Sequence, residues 1–133
     1  MIVLDTHALV WWVNGSDELS DSANKAIEQA QKHPEGLILV SSISAWEIAM
    51  LVAKERLVLT TGVDDWLASV SEIDALRFVP VDNEVAVAST RLPGQFHPDP
   101  ADRMIVALAR QLSAPLVTAD SRIRNYRHVK TIW

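Results

Sequence analysis

The chain has 133 residues, of which 49% are hydrophobic, so it can bury the core of one folded domain and is not a disordered protein. It has no cysteine, which excludes disulfides, thiolate zinc sites and cysteine nucleophiles. Residues 1–102 carry six Lys/Arg and sixteen Asp/Glu, whereas residues 103–133 carry six Lys/Arg and one Asp. This basic C-terminal segment is equally compatible with phosphate contacts and with a solvated surface.

The first half of the chain predicts two buried strands and four helices. In chain order they are a strand at 1–4, helices at 6–15 and 20–33, a strand at 36–42, and helices at 44–57 and 63–76. Both strands are short runs of consecutive apolar residues, which is typical of strands covered on both faces. The longest low-charge run, 37–53, contains three serines and Glu47, so it predicts a strand and a buried helix and no membrane span.

The second half continues the alternation of strands and helices. It predicts a strand at 77–81, helices at 82–92 and 99–112, a strand at 114–120, a short helical turn at 121–127 and a last strand at 129–133. Pro80 predicts a sheet edge or a strand end, and Asp99 followed by Pro100 is a helix N-cap signal. The alternation predicts a single-domain α/β/α sandwich over residues 1–133, with a central, mainly parallel sheet.

Four acidic residues are placed where the ligand site of such a sheet is expected, beyond the carboxyl ends of the strands. Asp5 and Asp120 directly follow predicted strands, and each lies beside an apolar run. Glu47 is predicted in the first turn of the helix after the second strand. Asp102 is predicted in the first turn of the helix before the fourth strand, on a face shared with apolar residues three and seven positions later.

Each acid also has a purely structural interpretation as a helix-capping group. Ser44 and Glu47 match a capping box, Asp102 lies near a positive helix end, and Asp5 and Asp120 can cap the helices that follow them. Capping alone does not require four carboxylates in apolar segments at one sheet edge. Such carboxylates repel one another unless they hold protons or share a cation. Oxygen-only ligands without cysteine predict Mg²⁺, or Mn²⁺, rather than zinc.

An acidic cluster with Mg²⁺ is suited to cutting phosphodiester bonds, because the ion polarises a phosphoryl oxygen and activates water. We expect Asp5 and Asp102 to make the main metal contacts, with Asp120 helping directly or through water. We expect Glu47 to bind through water or to orient the nucleophile.

Four further residues near the expected site have weaker signals. Arg103 is interpreted as a phosphate contact, a brace for the acids or a surface residue. Thr118 is interpreted as a hydrogen-bonding partner of a ligand carboxylate or water, or as an ordinary strand residue. His7 and His97 are interpreted as structural or incidental.

The segments "IVLDTHALVWW", "SSISAWEI", "DPADRMIVALA" and "LVTAD" occur in this order and carry the four acids. Together they resemble the PIN domain, in particular the VapC-type toxins of bacterial and archaeal toxin–antitoxin pairs, over residues 1 to about 125. The resemblance implies a parallel sheet flanked by helices and a Mg²⁺- or Mn²⁺-dependent endoribonuclease. It implies that Asp5, Glu47, Asp102 and Asp120 form its catalytic, metal-binding site.

The resemblance also implies partners that the residue pattern does not reveal. Members of this family usually form a homodimer and are silenced by a VapB-like antitoxin, whose C-terminal segment wraps the toxin and can insert a basic side chain near the site. Operator DNA is expected to be bound only through the antitoxin, and the location is expected to be cytoplasmic. The Trp-rich segments around Trp11, Trp12 and Trp46 either complete the core or provide surplus apolar surface for such partners.

Other functions remain open at this point. A metal-dependent DNA nuclease differs from a ribonuclease only in substrate, and a partner-binding PIN domain without catalysis would retain the fold. An aspartyl phosphatase would have a second Asp at position 7, where this chain has His7. A phosphoacceptor signalling module would have paired acids on the first strand and a lysine near the end of a late strand, whereas "VLDTHA" has one acid and "LVTAD" has no lysine.

Overall fold

The computed structural model describes residues 1–133, and its centre is a five-stranded sheet. The strands are β1 (Ile2–Leu4), β2 (Ile38–Ser41), β3 (Leu76–Val79), β4 (Leu116–Val117) and β5 (Thr131–Ile132). Their order across the sheet is β3-β2-β1-β4-β5, and every neighbouring pair is parallel. The parallel sheet predicted from the alternation of strands and helices is therefore confirmed.

Seven helices connect the strands and cover both faces of the sheet. They are α1 (Thr6–Val13), α2 (Asp21–Lys32), α3 (Ser42–Ala53), α4 (Val63–Ser71), α5 (Asn83–Ser89), α6 (Pro100–Gln111) and α7 (Ser121–Arg124). None of these helices is long and apolar enough to cross a membrane.

Two hydrophobic cores lie on opposite faces of the sheet. Leu4 and Val40 point into a core shared with α1, α2 and α4. Their neighbours Val3 and Leu39 point into the second core, which includes α5 and α6. Because strand side chains alternate between faces, both positions must be apolar, and this explains the continuous apolar runs in the sequence. The predicted α/β/α layers are confirmed.

The strand order fixes where a site can form. The chain builds outward from β1 to β2 and β3, and later returns to the other side of β1 to add β4 and β5. Such a reversal leaves a crevice beyond the carboxyl ends of the strands on either side of it. The residues at these ends are Asp5 after β1, Ser41 at the end of β2 and Thr118 after β4.

Some predicted boundaries differ from the structure for local reasons. Helix α3 begins at Ser42 rather than residue 44, because the Ser41 hydroxyl accepts the N–H of Ile43 at 3.2 Å and caps the helix. Helix α4 ends at Ser71 because the chain turns through Ala75, which has a left-handed φ of 70°, before it enters β3. Strand β3 lies at the sheet edge, as Pro80 predicted.

Candidate active site

Asp5 is the acid at the centre of the sheet edge, and its residue is only 5% exposed. It is the N-cap of α1, and its Oδ1 accepts the N–H of Ala8 at 2.9 Å. Burial raises the pKa of the Asp5 carboxyl, while hydrogen bonds from Thr118 and Ala8 oppose this rise. The capping interpretation is thus confirmed for Asp5, but these hydrogen bonds do not outweigh the burial of the charge, so the carboxyl favours a proton or a cation.

Asp120 is also a helix cap, and it has a second partner. It begins α7, and its Oδ1 accepts the N–H of Arg122 at 2.8 Å. The guanidinium of the same arginine places Nη2 3.0 Å from Asp120 Oδ2. These hydrogen bonds from Arg122 lower the pKa of Asp120, so this carboxyl is ionised.

Asp102 lies in the first turn of α6, in a half-buried position. Asp99 caps this helix as predicted, with its Oδ1 accepting the Asp102 N–H at 3.0 Å, and leaves the Asp102 side chain free to face the cluster. Burial raises the pKa of Asp102 to about 7, and the nearby charges of Asp99, Glu47 and Asp120 add to the rise. Arg122 Nη2 approaches Asp102 Oδ2 at 3.5 Å from the side of Asp120.

Glu47 is held by the buried hydroxyl of Thr6 rather than by the predicted capping box. Because α3 begins at Ser42, Glu47 lies in its second turn and does not reach back to the helix end. Instead the Thr6 hydroxyl donates to Glu47 Oε1 at 2.6 Å, and Ser44 Oγ lies 2.8 Å from Thr6 Oγ1. Burial raises the pKa of Glu47, and the Thr6 hydrogen bond opposes it.

Sequence reasoning did not identify Thr6 and Ser44 as site residues. Both lie beside a predicted acid in the motifs "LDTHA" and "ISAWE", and both are almost completely buried. A buried hydroxyl requires a hydrogen-bond partner. The sequence signal that could have identified Thr6 and Ser44 is a small polar residue in an apolar segment close to a candidate acid.

The structure brings all four predicted acids to one end of the sheet. The carboxyl of Asp102 is influenced by the charges of Glu47 and Asp120, and that of Asp5 by Asp120. The donor set consists only of carboxylate oxygens, which fits a hard divalent ion. In the present arrangement, however, no three acidic or histidine side chains are positioned to share one metal ion. Arg122 instead supplies the positive charge between Asp102 and Asp120.

Three of the four residues with weaker signals lie near the acids. The Thr118 hydroxyl oxygen accepts the N–H of Asp120 at 3.1 Å, and a hydrogen bond from Thr118 lowers the pKa of Asp5, so its polar interpretation is confirmed. His97 Nε2 lies 3.2 Å from Asp102 Oδ2, but off the direction of a hydrogen bond, and both of its ring nitrogens lack a partner. His7 is exposed and packs against Trp11, with ring centroids 5.7 Å apart.

Arg103 does not brace the acids. Its Nε donates to the Ser89 carbonyl at 2.8 Å and its Nη1 donates to the Phe96 carbonyl at 2.9 Å. The interpretation of Arg103 as a brace for the acids is therefore wrong, whereas a contact of Arg103 with phosphate stays a prediction. Its side chain points away from Asp102, because adjacent residues on a helix face directions about 100° apart, and it ties the loop before α6 to the end of α5.

A PIN-domain family profile matches residues 2–129. The chain belongs to the PIN-domain family. A curated relative, Ribonuclease VapC22 of Mycobacterium tuberculosis, is 37% identical over 134 aligned residues, which cover 99% of this chain and 98% of the relative.

Solved structures have the same PIN-domain fold. VapBC2 from Rickettsia felis, bound to a DNA fragment from its promoter, superposes with a TM-score of 0.69 at 19% identity, covering 98% of this chain and 97% of that one. VapC20 from Mycobacterium tuberculosis, a sarcin-ricin loop cleaving toxin, gives a TM-score of 0.64 at 15% identity, covering 98% and 99%. A toxin–antitoxin complex from Klebsiella pneumoniae gives 0.66 at 18% identity, covering 97% and 95%. At sequence identities of 15–19%, this structural similarity shows only that the fold is shared.

The resemblance to PIN domains drawn from the four motifs is therefore confirmed. An aspartyl phosphatase and a phosphoacceptor module would each have an arrangement of acids that this chain lacks. The PIN-domain match supports neither of these alternative functions. Within a PIN domain, the acid cluster beyond β1 and β4 is the obvious candidate for chemistry.

Proposed function

We propose that this PIN domain is a divalent-metal-dependent endoribonuclease that hydrolyses RNA phosphodiester bonds and acts as the toxin of a type II toxin–antitoxin pair. The observation that carries the proposal is the gathering of Asp5, Glu47, Asp102 and Asp120 at the carboxyl end of the sheet. It is supported by 37% identity, over nearly the full length, to a relative named a ribonuclease.

The four acids are proposed to hold Mg²⁺ or Mn²⁺. Asp5 and Asp102 would bind directly, Asp120 directly or through water, and Glu47 through water or as the group that orients the nucleophile. Arg122 must withdraw from Asp102 and Asp120 before these oxygens are free for an ion. When bound, such an ion polarises the phosphoryl oxygen and lowers the pKa of an attacking water.

The chain's own residues supply the positioning. The Ala8 N–H fixes the direction of the Asp5 carboxyl through its hydrogen bond to Oδ1. The hydrogen bond from Thr6 fixes the direction of Glu47 in the same way. Held geometry of this kind lowers the cost of reaching the reactive arrangement.

The test compares cleavage of a labelled single-stranded RNA by the wild type, Asp5→Asn and Asp102→Asn, with Mg²⁺ and with a chelator. Asparagine at position 5 retains an oxygen that can cap α1, and Asp102 is not a helix cap, so the variants separate catalysis from folding. We expect each variant, and the chelator, to reduce cleavage at least about 100-fold. Asp17→Asn, at an exposed acid that forms no ion pair, is the matched control. Wild-type rates in Asp5→Asn and Asp102→Asn at limiting Mg²⁺ would overturn the proposal.

A DNA of the same sequence forms the second arm of this assay. Cleavage of RNA with little cleavage of DNA supports the ribonuclease, whereas preferential cleavage of DNA supports the DNA nuclease alternative. A well-folded wild type that cleaves neither substrate with Mg²⁺ or Mn²⁺ supports a PIN domain that only binds partners.

The proposed partners are a second copy of this chain and a VapB-like antitoxin, with operator DNA bound only through the antitoxin and the cytoplasm as the location. Trp46 on α3 supports protein association, because it is 57% exposed although tryptophan is usually more buried. The test expresses the chain with and without the neighbouring gene. Growth arrest and cleaved RNA ends that disappear when the neighbour is present support the toxin role, and no effect of expression alone contradicts it.

A further inference from the structure

A groove of about 590 Å³ opens beside the acid cluster, within the range of roughly 300–1,000 Å³ that is usual for small-molecule sites. One wall is the loop before α6, including Phe96 and His97. The other wall is the end of α7 and the segment after it, including Arg122, Arg127 and His128. We call this the flanking groove. The walls of a cavity of similar size between α5 and α6 contain neither His97 nor Arg122, the two groove residues that contact Asp102.

The flanking groove is continuous with the acid cluster through two shared residues. Arg122 lines the groove and lies 3.5 Å from Asp102. His97 lines the groove and lies 3.2 Å from the same carboxylate oxygen. A polymer whose backbone reaches Asp102 therefore has its neighbouring unit at the mouth of this groove.

The charge of the groove is opposite to that of the cluster. Arg122 and Arg127 are exposed cations in its walls, Asn125 adds an exposed amide, and no acidic residue lines it. Cationic guanidinium groups form two parallel hydrogen bonds with phosphate oxygens. The groove therefore suits the phosphates on either side of the bond that faces the acids.

The groove also contains a row of aromatic rings. Phe96 lies 4.3 Å from His97 and 4.8 Å from Tyr126, and Tyr126 lies 5.3 Å from His128, measured between ring centroids. Tyr126 is buried and its hydroxyl donates to the Pro93 carbonyl, so it forms the floor. Phe96, His97 and His128 are partly exposed above it. Aromatic faces beside cations are the equipment with which proteins bind unpaired bases.

The walls are held in place before any ligand binds. Arg103 donates to the Phe96 carbonyl at 2.9 Å and to the His97 carbonyl at 3.3 Å, which anchors the loop that carries these rings. Gly94 has a left-handed φ of +66°, and a Cβ there would lie 3.4 Å from His128 Nε2. A rigid site loses less entropy on binding. The role of Arg103 is therefore to hold this wall of the groove in place, and not to contact the acids.

We propose that the flanking groove binds a nucleotide of single-stranded RNA next to the phosphodiester bond that faces the acid cluster, an inference that rests on the proposed ribonuclease function. Arg122 and Arg127 contact the flanking phosphates, and the rings of Phe96 and His128 contact the unpaired base. Substrates whose bases are all paired do not present a base to these rings.

The test measures binding of a fluorescent single-stranded RNA to the full chain in a chelator, where no cleavage occurs, for Arg127→Ala and His128→Ala. Arg124→Ala is the matched control, because Arg124 is an exposed arginine three residues away that does not line the groove. We expect Arg127→Ala to weaken binding several-fold and to reduce the slope of log K against log salt by about 0.7, the value for one phosphate contact on a single strand. We expect His128→Ala to weaken binding about 5-fold or more without changing that slope. We expect Arg124→Ala to stay within about twofold of the wild type.

Equal losses of RNA affinity in Arg127→Ala and Arg124→Ala would mean that RNA binding depends only on net charge, and would overturn the groove proposal. Tight binding of an acidic peptide that RNA does not displace would overturn it in favour of a protein occupant. In cleavage assays with Mg²⁺, Arg127→Ala is expected to raise KM with little change in kcat. RNA cleavage that is unaffected in both Arg127→Ala and His128→Ala contradicts the groove proposal but not the ribonuclease function. A wild type that cleaves no RNA contradicts the proposed ribonuclease function.

Discussion

Arg122 and Asp102 are twenty positions apart in the chain, and Arg122 Nη2 lies 3.5 Å from Asp102 Oδ2. The same nitrogen lies 3.0 Å from Asp120, so one side chain neutralises two acids of the cluster. The arginine is 58% exposed and is attached to a short helix, so it can leave without disturbing the core. The cluster therefore has its own replaceable cation.

Replacing Arg122 with Gln is expected to tighten Mn²⁺ binding, because the ion no longer competes with the guanidinium for Asp102 and Asp120. Exposed ion pairs contribute about 0.2–1 kcal/mol each, so removal of the two pairs is expected to increase the affinity about two- to thirtyfold. Calorimetric titration at pH 8 measures it, with Asp102→Asn as the control that loses binding. Unchanged or weaker affinity in Arg122→Gln would show that the arginine does not occupy the ion's place.

Asp102→Asn is expected to stabilise the metal-free protein at pH 8. Burial raises the folded-state pKa of Asp102 from 3.8 to about 7. The wild type therefore loses stability as the pH rises from about 4 through 7, because the unfolded chain releases this proton more readily. A shift of this size corresponds to at most about 4 kcal/mol, at about 1.4 kcal/mol for each unit of pKa.

Urea unfolding in a chelator at pH 4, 6 and 8 measures this difference. We expect the gap between Asp102→Asn and the wild type to be largest at pH 8 and to close near pH 4. Asp17→Asn, at an exposed position, should follow the wild type at every pH. A variant that is less stable than the wild type at pH 8 would mean that the Arg122 contact, not burial, dominates at Asp102.

Thr6 is expected to act as a positioning residue for Glu47. Thr6→Val preserves the shape of the side chain but removes the 2.6 Å hydrogen bond to Oε1. A hydrogen bond to a charged group contributes about 1.5–3 kcal/mol, so kcat for RNA cleavage should fall at least about tenfold. Thr6→Ser retains the hydroxyl and should restore most of kcat. Equal rates in Thr6→Val and Thr6→Ser would leave the hydroxyl without a role in catalysis.

Gly36 and Gly62 form a matched pair for testing backbone packing. A Cβ on Gly36 would lie 1.8 Å from the carbonyl oxygen of Ala30 in α2, whereas a Cβ on Gly62 would meet nothing within 4 Å. We expect Gly36→Ala to lower the free energy of unfolding by about 3 kcal/mol or more, since α2 must move away from the sheet. Gly62→Ala should change it by less than about 0.5 kcal/mol. Similar values for the two variants would contradict the close approach of α2.

The exposed Trp46 is expected to contribute to association rather than to folding. Trp46→Ala should weaken the proposed homodimer, or its complex with the antitoxin, at least about tenfold, because exposed aromatic residues often dominate interface energies. Sedimentation of the chain alone and with the antitoxin measures this. Val58→Ser, at a residue 87% exposed, is the control. Unchanged association in Trp46→Ala would place the interface elsewhere.

The fold and the positions of the acids could be predicted from the sequence because both follow from short-range patterns. Apolar runs mark the strands, and Asp5 and Asp120 follow two of them directly, so the rule for parallel sheets places both acids at one edge. The face of α6 on which Asp102 lies follows from helical periodicity. These signals depend on neighbours within a few residues.

The contacts of the acids could not be predicted, because they join distant parts of the chain. The hydrogen bond from Thr6 to Glu47 spans 41 positions, and the contact from Arg122 to Asp102 spans 20. Three serines near the start of α3 offered several possible caps, and the sequence alone does not show that Ser41, the last residue of β2, is the one used. The direction of the Arg103 side chain could likewise not be predicted, because it depends on where α5 ends.

The two borders of the sheet limit how this protein can assemble. Strand β5 consists of two residues, and strand β3 is four residues long and is followed directly by Pro80, which has no N–H to donate. Neither border offers a long row of unpaired backbone groups on which a strand of another molecule can grow. Association by strand addition is therefore disfavoured, and so is the growth of fibres through extension of the sheet.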